Sequence, residues 1–169
     1  MPRPDLSRVP EFFYNYINQV PDNDLMTAFK NQSPKTISFF ENIPANKIDY
    51  VYADGKWTIR EMLQHVIDAE RVFSYRALRF ARKDATPLPS FDENLFAETA
   101  KADKRNWNDL LEEFKTVRKA TECLFGSFDD DQLDASGVSG NKSIYVLAIG
   151  YISVGHALHH VSLIKKRYL

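Results

Sequence analysis

Apolar positions along this chain recur at threes and fours, and stretches of strict alternation are scarce, so helical periods dominate. The first segment, Glu11 to Ile17, reads as a short amphipathic helix ended by Pro21. A second begins at Asp22 or Asp24, either of which can cap it, and carries Leu25, Met26, Phe29, Ile37, Phe39 and Phe40. Pro34 interrupts that pattern and is expected to kink or split the helix, because proline removes a backbone donor and crowds the preceding turn.

The clearest start signal is Thr58, three residues before Glu61, in the pattern of a capping box with Trp57 just ahead. Ile59, Met62, Leu63, Val66, Ala69, Val72, Phe73, Ala77 and Phe80 then place a helix over about 58–83. A long connection, 84–106, holds Pro87-Leu88-Pro89, an exposed-looking Phe91 and a short helix around 93–99. Its length suits either a functional segment or a plain crossover.

The next helix, over about 107–125, is expected to turn Leu110, Leu111, Phe114, Val117, Ala120, Cys123 and Leu124 inward and to close at Gly126-Ser127. Residues 134–141 read as a turn-rich connector. Ser143 is the expected N-cap of a final helix from 144 to about 167, whose closing Lys165-Lys166-Arg167 suits the helix dipole. Four long helices with short extra ones predict an all-α helical bundle, a single domain over 1–169.

Composition narrows the function. The 169 residues are 44% hydrophobic and 13% aromatic, ample for one buried core. Lone Cys123 excludes a disulfide scaffold and is expected to be a small core residue. Twenty-two Lys and Arg balance 23 Asp and Glu, so no global positive field favours nucleic acid or anionic lipid. The longest nearly apolar run, Ile144 to Val154, falls short of the roughly 18 residues of a membrane span. The start of the chain lacks the pattern of a secretory signal, and a cytoplasmic protein without membrane contact is expected. There is also no Gly-rich phosphate loop, nucleophile elbow or cysteine-rich zinc motif.

The chemistry lies in four histidines. His65 sits mid-helix, while His156, His159 and His160 share the last helix. Residues four apart differ by about 40° around a helix, so His156 and His160 project from one face. Such a pair gives a divalent metal two rigid nitrogen donors, and His65 from a facing helix can add a third. Three histidines leave a coordination position open, the arrangement of a reactive site. An isolated His-x-x-x-His carries little weight, but this one sits on the most apolar helix, where an imidazole needs a polar partner or a metal. His159 borders the ligand face or meets a neighbouring loop or subunit, and is an alternative to His160 as ligand. Asp68, three residues after His65, is either a carboxylate that orients an imidazole or holds a substrate group, or a surface charge. Glu70, about 140° round from His65, is read as half of a structural ion pair. Trp57, Phe73, Tyr75 and Phe91 are core residues or the lining of an apolar pocket.

The residues 55–71, the continuation Tyr75-Arg76-Ala77-Leu78-Arg79-Phe80-Ala81-Arg82 with 86–92, and Gly155-His156-Ala157-Leu158-His159-His160 resemble the DinB-like (DinB/YfiT) superfamily. The likeness spans roughly 12–169. It implies a four-helix bundle of up-down-down-up arrangement, with metal ligands falling on His65, His156 and His160, the three that spacing selects. It further implies zinc, nickel, iron or manganese as the divalent ion, a homodimer, and a metal-dependent enzyme acting on a small molecule. Thiol-dependent S-transfer with a low-molecular-weight thiol is the first expectation. Hydrolysis of a small substrate is the alternative, and a non-catalytic metal- or ligand-binding module the third reading. One fold hosts several chemistries, so membership alone does not select among them.

Overall fold

Three of the four long helices begin where a side chain takes over backbone donors that the first turn leaves unpaired. The computed structural model describes residues 2–169. After a short helix α1 (Tyr14–Gln19), α2 (Leu25–Glu41) starts on Asp24, whose Oδ1 accepts from the Thr27 amide at 2.8 Å. Helix α3 (Ile59–Ala81) has the expected capping box, the Thr58 hydroxyl accepting from the Glu61 amide and the Glu61 carboxylate from the Thr58 amide. A short α4 (Glu93–Thr99) precedes α5 (Trp107–Gly126), capped by Asn106. A one-turn α6 (Asp130–Asp134) leads into strands β1 (Ser136–Ser139) and β2 (Lys142–Tyr145) and then α7 (Val146–Arg167).

α2 and α3 each pack on both α5 and α7, which places α2 diagonally across from α3 and α5 across from α7. Two core clusters fix the directions. One end joins Leu25 and Phe29 to Ala77 and Phe80, Phe125 and Ile149. The other joins Phe40 to Ile59 and Leu63, Leu110 and Ile164. α2 and α7 therefore run from the first end to the second, and α3 and α5 run back: a four-helix bundle, up-down-down-up. α7 is long and apolar enough to cross a membrane, but most of that stretch is buried between the other helices, as befits a core helix.

Several local expectations are corrected. α2 continues through Pro34 instead of splitting there. Pro34 lies on the solvent face, where water can satisfy the carbonyl one turn back. The buried stripe of α5 runs through Leu110, Leu111, Phe114, Val117, Arg118, Thr121 and Phe125. Ala120 and Cys123 are exposed, because Arg118 takes the inward position by pairing with Glu70 across the core. The connector at 134–141 includes half of a β-hairpin, and Ser143 lies in β2 and does not cap α7. Gly140 and Asn141 both have positive φ (57° and 63°), the two-residue turn that matches the twist of paired strands. α7 starts two residues later than expected, with its Val146 amide donating to the Ala135 carbonyl at 3.0 Å.

The long connection between α3 and α5 is tied down by that hairpin. The Leu88 amide donates to Val138 at 2.9 Å, and the Gly140 amide donates back to Leu88 at 3.0 Å. This stitch holds Ser90, Phe91 and Glu93 over a cavity between α1, α3 and α7.

Candidate metal centre

Because α3 and α7 run in opposite directions, the first third of α3 lies beside the second half of α7, and His65 meets the His156/His160 pair there. The Nε2 atoms of His65 and His156 are 3.1 Å apart, as are those of His160 and His156. One nitrogen from each ring lies within 4.8 Å of the other two. Two nitrogens at about 2.0–2.1 Å from one ion stand roughly 2.9–3.4 Å apart as their angle opens from square to tetrahedral. The observed spacing falls in that range.

The rings are also in the right charge state. Burial pulls the His65 pKa down to about 4, against a small opposing pull from Glu93. Burial, reinforced by neighbouring imidazoles, holds His156 and His160 well below their ordinary range. Neutral imidazoles keep the lone pairs that a cation needs. Among the described residues Nδ1 of His160 has no hydrogen-bond partner, and its Nε2 faces that of His156 at 3.1 Å. The donor set and its spacing fit a divalent metal.

Aromatic rings frame the cluster. Trp57 lies 4.9 Å from His65 between ring centroids, Phe73 presents an edge to His156 at 5.7 Å, and Tyr16 does so at 5.3 Å. Tyr16 reaches this place because α1 crosses α7 at Gly155. A Cβ there would lie 2.0 Å from the Tyr16 carbonyl oxygen, so only glycine permits the approach. The cluster forms one wall of a cavity of about 370 Å³ whose other walls include Phe73, Ile149, Ile152 and Phe91. That size suits a small organic molecule.

The remaining sequence candidates have other surroundings. His159 is half-buried against Tyr16, with Nδ1 3.4 Å from the Gln19 amide nitrogen, and is outside the converging trio. Asp68 accepts from Gln64 Nε2 at 3.0 Å and lies 3.8 Å from Arg71, in a polar network that reaches Arg105 and Glu113 on the α5 side. Glu70 forms the expected structural ion pair, with Arg118 at 2.8 Å, both side chains 2% exposed. Of the four aromatic candidates, Trp57, Phe73 and Phe91 line the cavity, whereas Tyr75 is exposed. Tyr16, Arg76 and Glu93 also line it and were not singled out by spacing. Nothing near Tyr16 in the chain marks it; the glycine that admits it, Gly155, is distant in sequence.

A model of the DinB superfamily matches residues 15–164. "Putative metal-dependent hydrolase YfiT" of Bacillus subtilis (strain 168) is 25% identical over 148 residues, spanning 79% of this chain and 82% of that protein. Among solved structures, the one titled "YfiT from Bacillus subtilis is a probable metal-dependent hydrolase with an unusual four-helix bundle topology" superposes with a TM-score of 0.71. It has 18% identity and covers 84% of this chain and 82% of its own.

Proposed function

Because this chain belongs to the DinB superfamily, we propose that it is a metal-dependent enzyme that activates a small nucleophile against a small, largely apolar substrate. The observation that carries the proposal is the convergence of three buried, neutral imidazole nitrogens in the wall of a cavity of substrate size. His65, His156 and His160 would hold the ion. A divalent cation in such a site supplies Lewis acidity and lowers the pKa of a water or thiol toward neutrality. The chain's own groups do the rest. α3 and α7 hold the three nitrogens on rigid backbone, Trp57, Phe73 and Tyr16 keep bulk water from the imidazoles, and the apolar walls accept the substrate body.

Water as nucleophile gives hydrolysis, the activity in the name of the B. subtilis relative. A low-molecular-weight thiol gives S-transfer in the same site, a reading supported by the sequence resemblance. Metal analysis of tag-free protein reconstituted with zinc, nickel, iron or manganese tests the centre. About one ion per chain is expected for the wild type and a loss of at least two orders of magnitude in affinity for His156→Ala. Substoichiometric metal after reconstitution overturns the proposal. Turnover of ester and amide panels with and without added thiols then separates the two nucleophiles.

A further inference from the structure

Arg76 is the one buried cation of the cavity wall, and its charge is unanswered. The residue is 9% exposed. Among the described residues its one hydrogen bond is long, from Nη2 to the Pro89 carbonyl at 3.3 Å, and its guanidinium lies 5.6 Å from the Phe91 ring centre. Among the described residues no carboxylate stands within ion-pair distance of it. The neighbouring arginines of α3 differ in this respect, Arg71 pairing with Glu113 and Arg79 with Asp84. A guanidinium removed from water without a counter-ion is costly, and proteins keep such groups paired. Burial indeed pulls its pKa downward.

Its position says what the partner would be. Eleven residues turn a helix by three revolutions and about 20°, so Arg76 projects from the same face of α3 as His65. The Cα atoms are about 16 Å apart along the axis, and helical side chains lean toward the N-terminus, here toward the imidazoles. Between the two, the same face presents Ala69 and Phe73 to the cavity. One elongated space therefore has nitrogen donors at one end, an apolar floor and a bare guanidinium at the other. The other charged groups lining it, Glu93 and Lys142, are of opposite sign, and the charge of a bound ion belongs to the imidazole end. At the far end the single guanidinium is answered by a single carboxylate.

We propose that Arg76 is the specificity-determining residue of the cavity, receiving the carboxylate of an elongated, apolar monocarboxylic acid whose other end faces His65, His156 and His160. This rests on the cavity being the substrate site of the proposed enzyme. A guanidinium takes a carboxylate through two parallel hydrogen bonds, which a neutral amide cannot replace. A site built around such a contact discriminates strongly against the analogue lacking it.

The test is calorimetric titration of 4-phenylbutyrate and its neutral amide, 4-phenylbutanamide, into tag-free protein in zinc-loaded and EDTA-treated forms. The expected result is at least tenfold tighter binding of the acid than of the amide in both forms. Arg76→Met removes that preference and Arg76→Lys keeps part of it, with zinc content unchanged in each. Arg76→Lys also serves if Arg76→Met does not fold. Absence of acid binding by the wild type, or an acid preference that survives in Arg76→Met, overturns the inference. A preference confined to the zinc-loaded form also overturns it, since the carboxylate is then on the metal, and leaves the metal reading standing. An Arg76-dependent preference in protein that takes up no zinc supports the inference and removes the metal reading instead.

Discussion

Replacing Glu70 with leucine leaves Arg118 charged, 2% exposed and without its carboxylate. The guanidinium then keeps one weak hydrogen bond, to the Ser153 carbonyl at 3.3 Å, and the faces of Phe29 and Phe114 at 5.5 and 5.7 Å. Breaking a buried pair from one side costs about 3–5 kcal/mol. For a chain of this size each kcal/mol lowers Tm by roughly 2–4 °C, so a drop of about 6–20 °C is expected. The intact pair is itself imperfectly satisfied, since Glu70 Oε1 and Arg118 Nε are buried without partners. Burial also pushes the Glu70 carboxyl above its ordinary range despite the opposing pull of Arg118. Removing both charges should therefore restore most of the loss: Glu70→Leu/Arg118→Met is expected within about 1–2 kcal/mol of wild type, or above it. Urea unfolding of the four proteins of this double-mutant cycle gives the coupling energy directly. The pair joins α3, α5 and α7 close to the histidines but does not touch the three rings, so the folded double variant should still bind one metal per chain. A Glu70→Leu cost below about 1 kcal/mol, or a double variant no more stable than the worse single one, refutes the reasoning.

Two further outcomes follow from the packing and the charges. Gly155→Ala drives a methyl group into the Tyr16 backbone and should cost about 1–3 kcal/mol while speeding amide exchange in α1; Gly126→Ala, whose Cβ meets only Met26 at 3.4 Å, should be close to neutral in the same assays. Burial raises the Glu113 carboxyl but Arg105 and Arg71 outweigh it, leaving its pKa below the ordinary 4.5. A carboxyl lowered by folding adds stability that is complete above its unfolded pKa and disappears as pH falls through the folded one. The stability gap between wild type and Glu113→Gln, read by urea unfolding, should thus be widest near pH 6 and close on acidification below about 4.5; a gap that widens in acid excludes this role.

The features readable from sequence are those whose causes lie within a turn or two of helix. The Thr58–Glu61 capping box needs only three residues' separation, and the His156–His160 pair only four. The apolar periods around Ile59–Phe80 report a core face whatever covers it. Expectations failed where a distant partner changed the local preference. Cys123 and Ala120 read as inward because Arg118 reads as outward, until Glu70, 48 residues away, brings that cation into the core. The hairpin was hidden because its register depends on Leu88 lying beside Ser139 as well as on its own short strands. The helix is not split at Pro34 because tolerance of a helical proline depends on which face meets water, which only the assembled bundle decides. The same distinction applies to the arginines of α3. Arg71, Arg76, Arg79 and Arg82 look alike in sequence, and helical geometry alone aligns Arg76 with His65. What sets Arg76 apart is that the fold supplies carboxylates to Arg71 and Arg79 and leaves Arg82 exposed to water, whereas Arg76 is buried beside the cavity with no carboxylate in reach. A residue's availability for function is thus a property of what the rest of the chain leaves unpaired, and in this bundle both the imidazole trio and the bare guanidinium are left facing the same space.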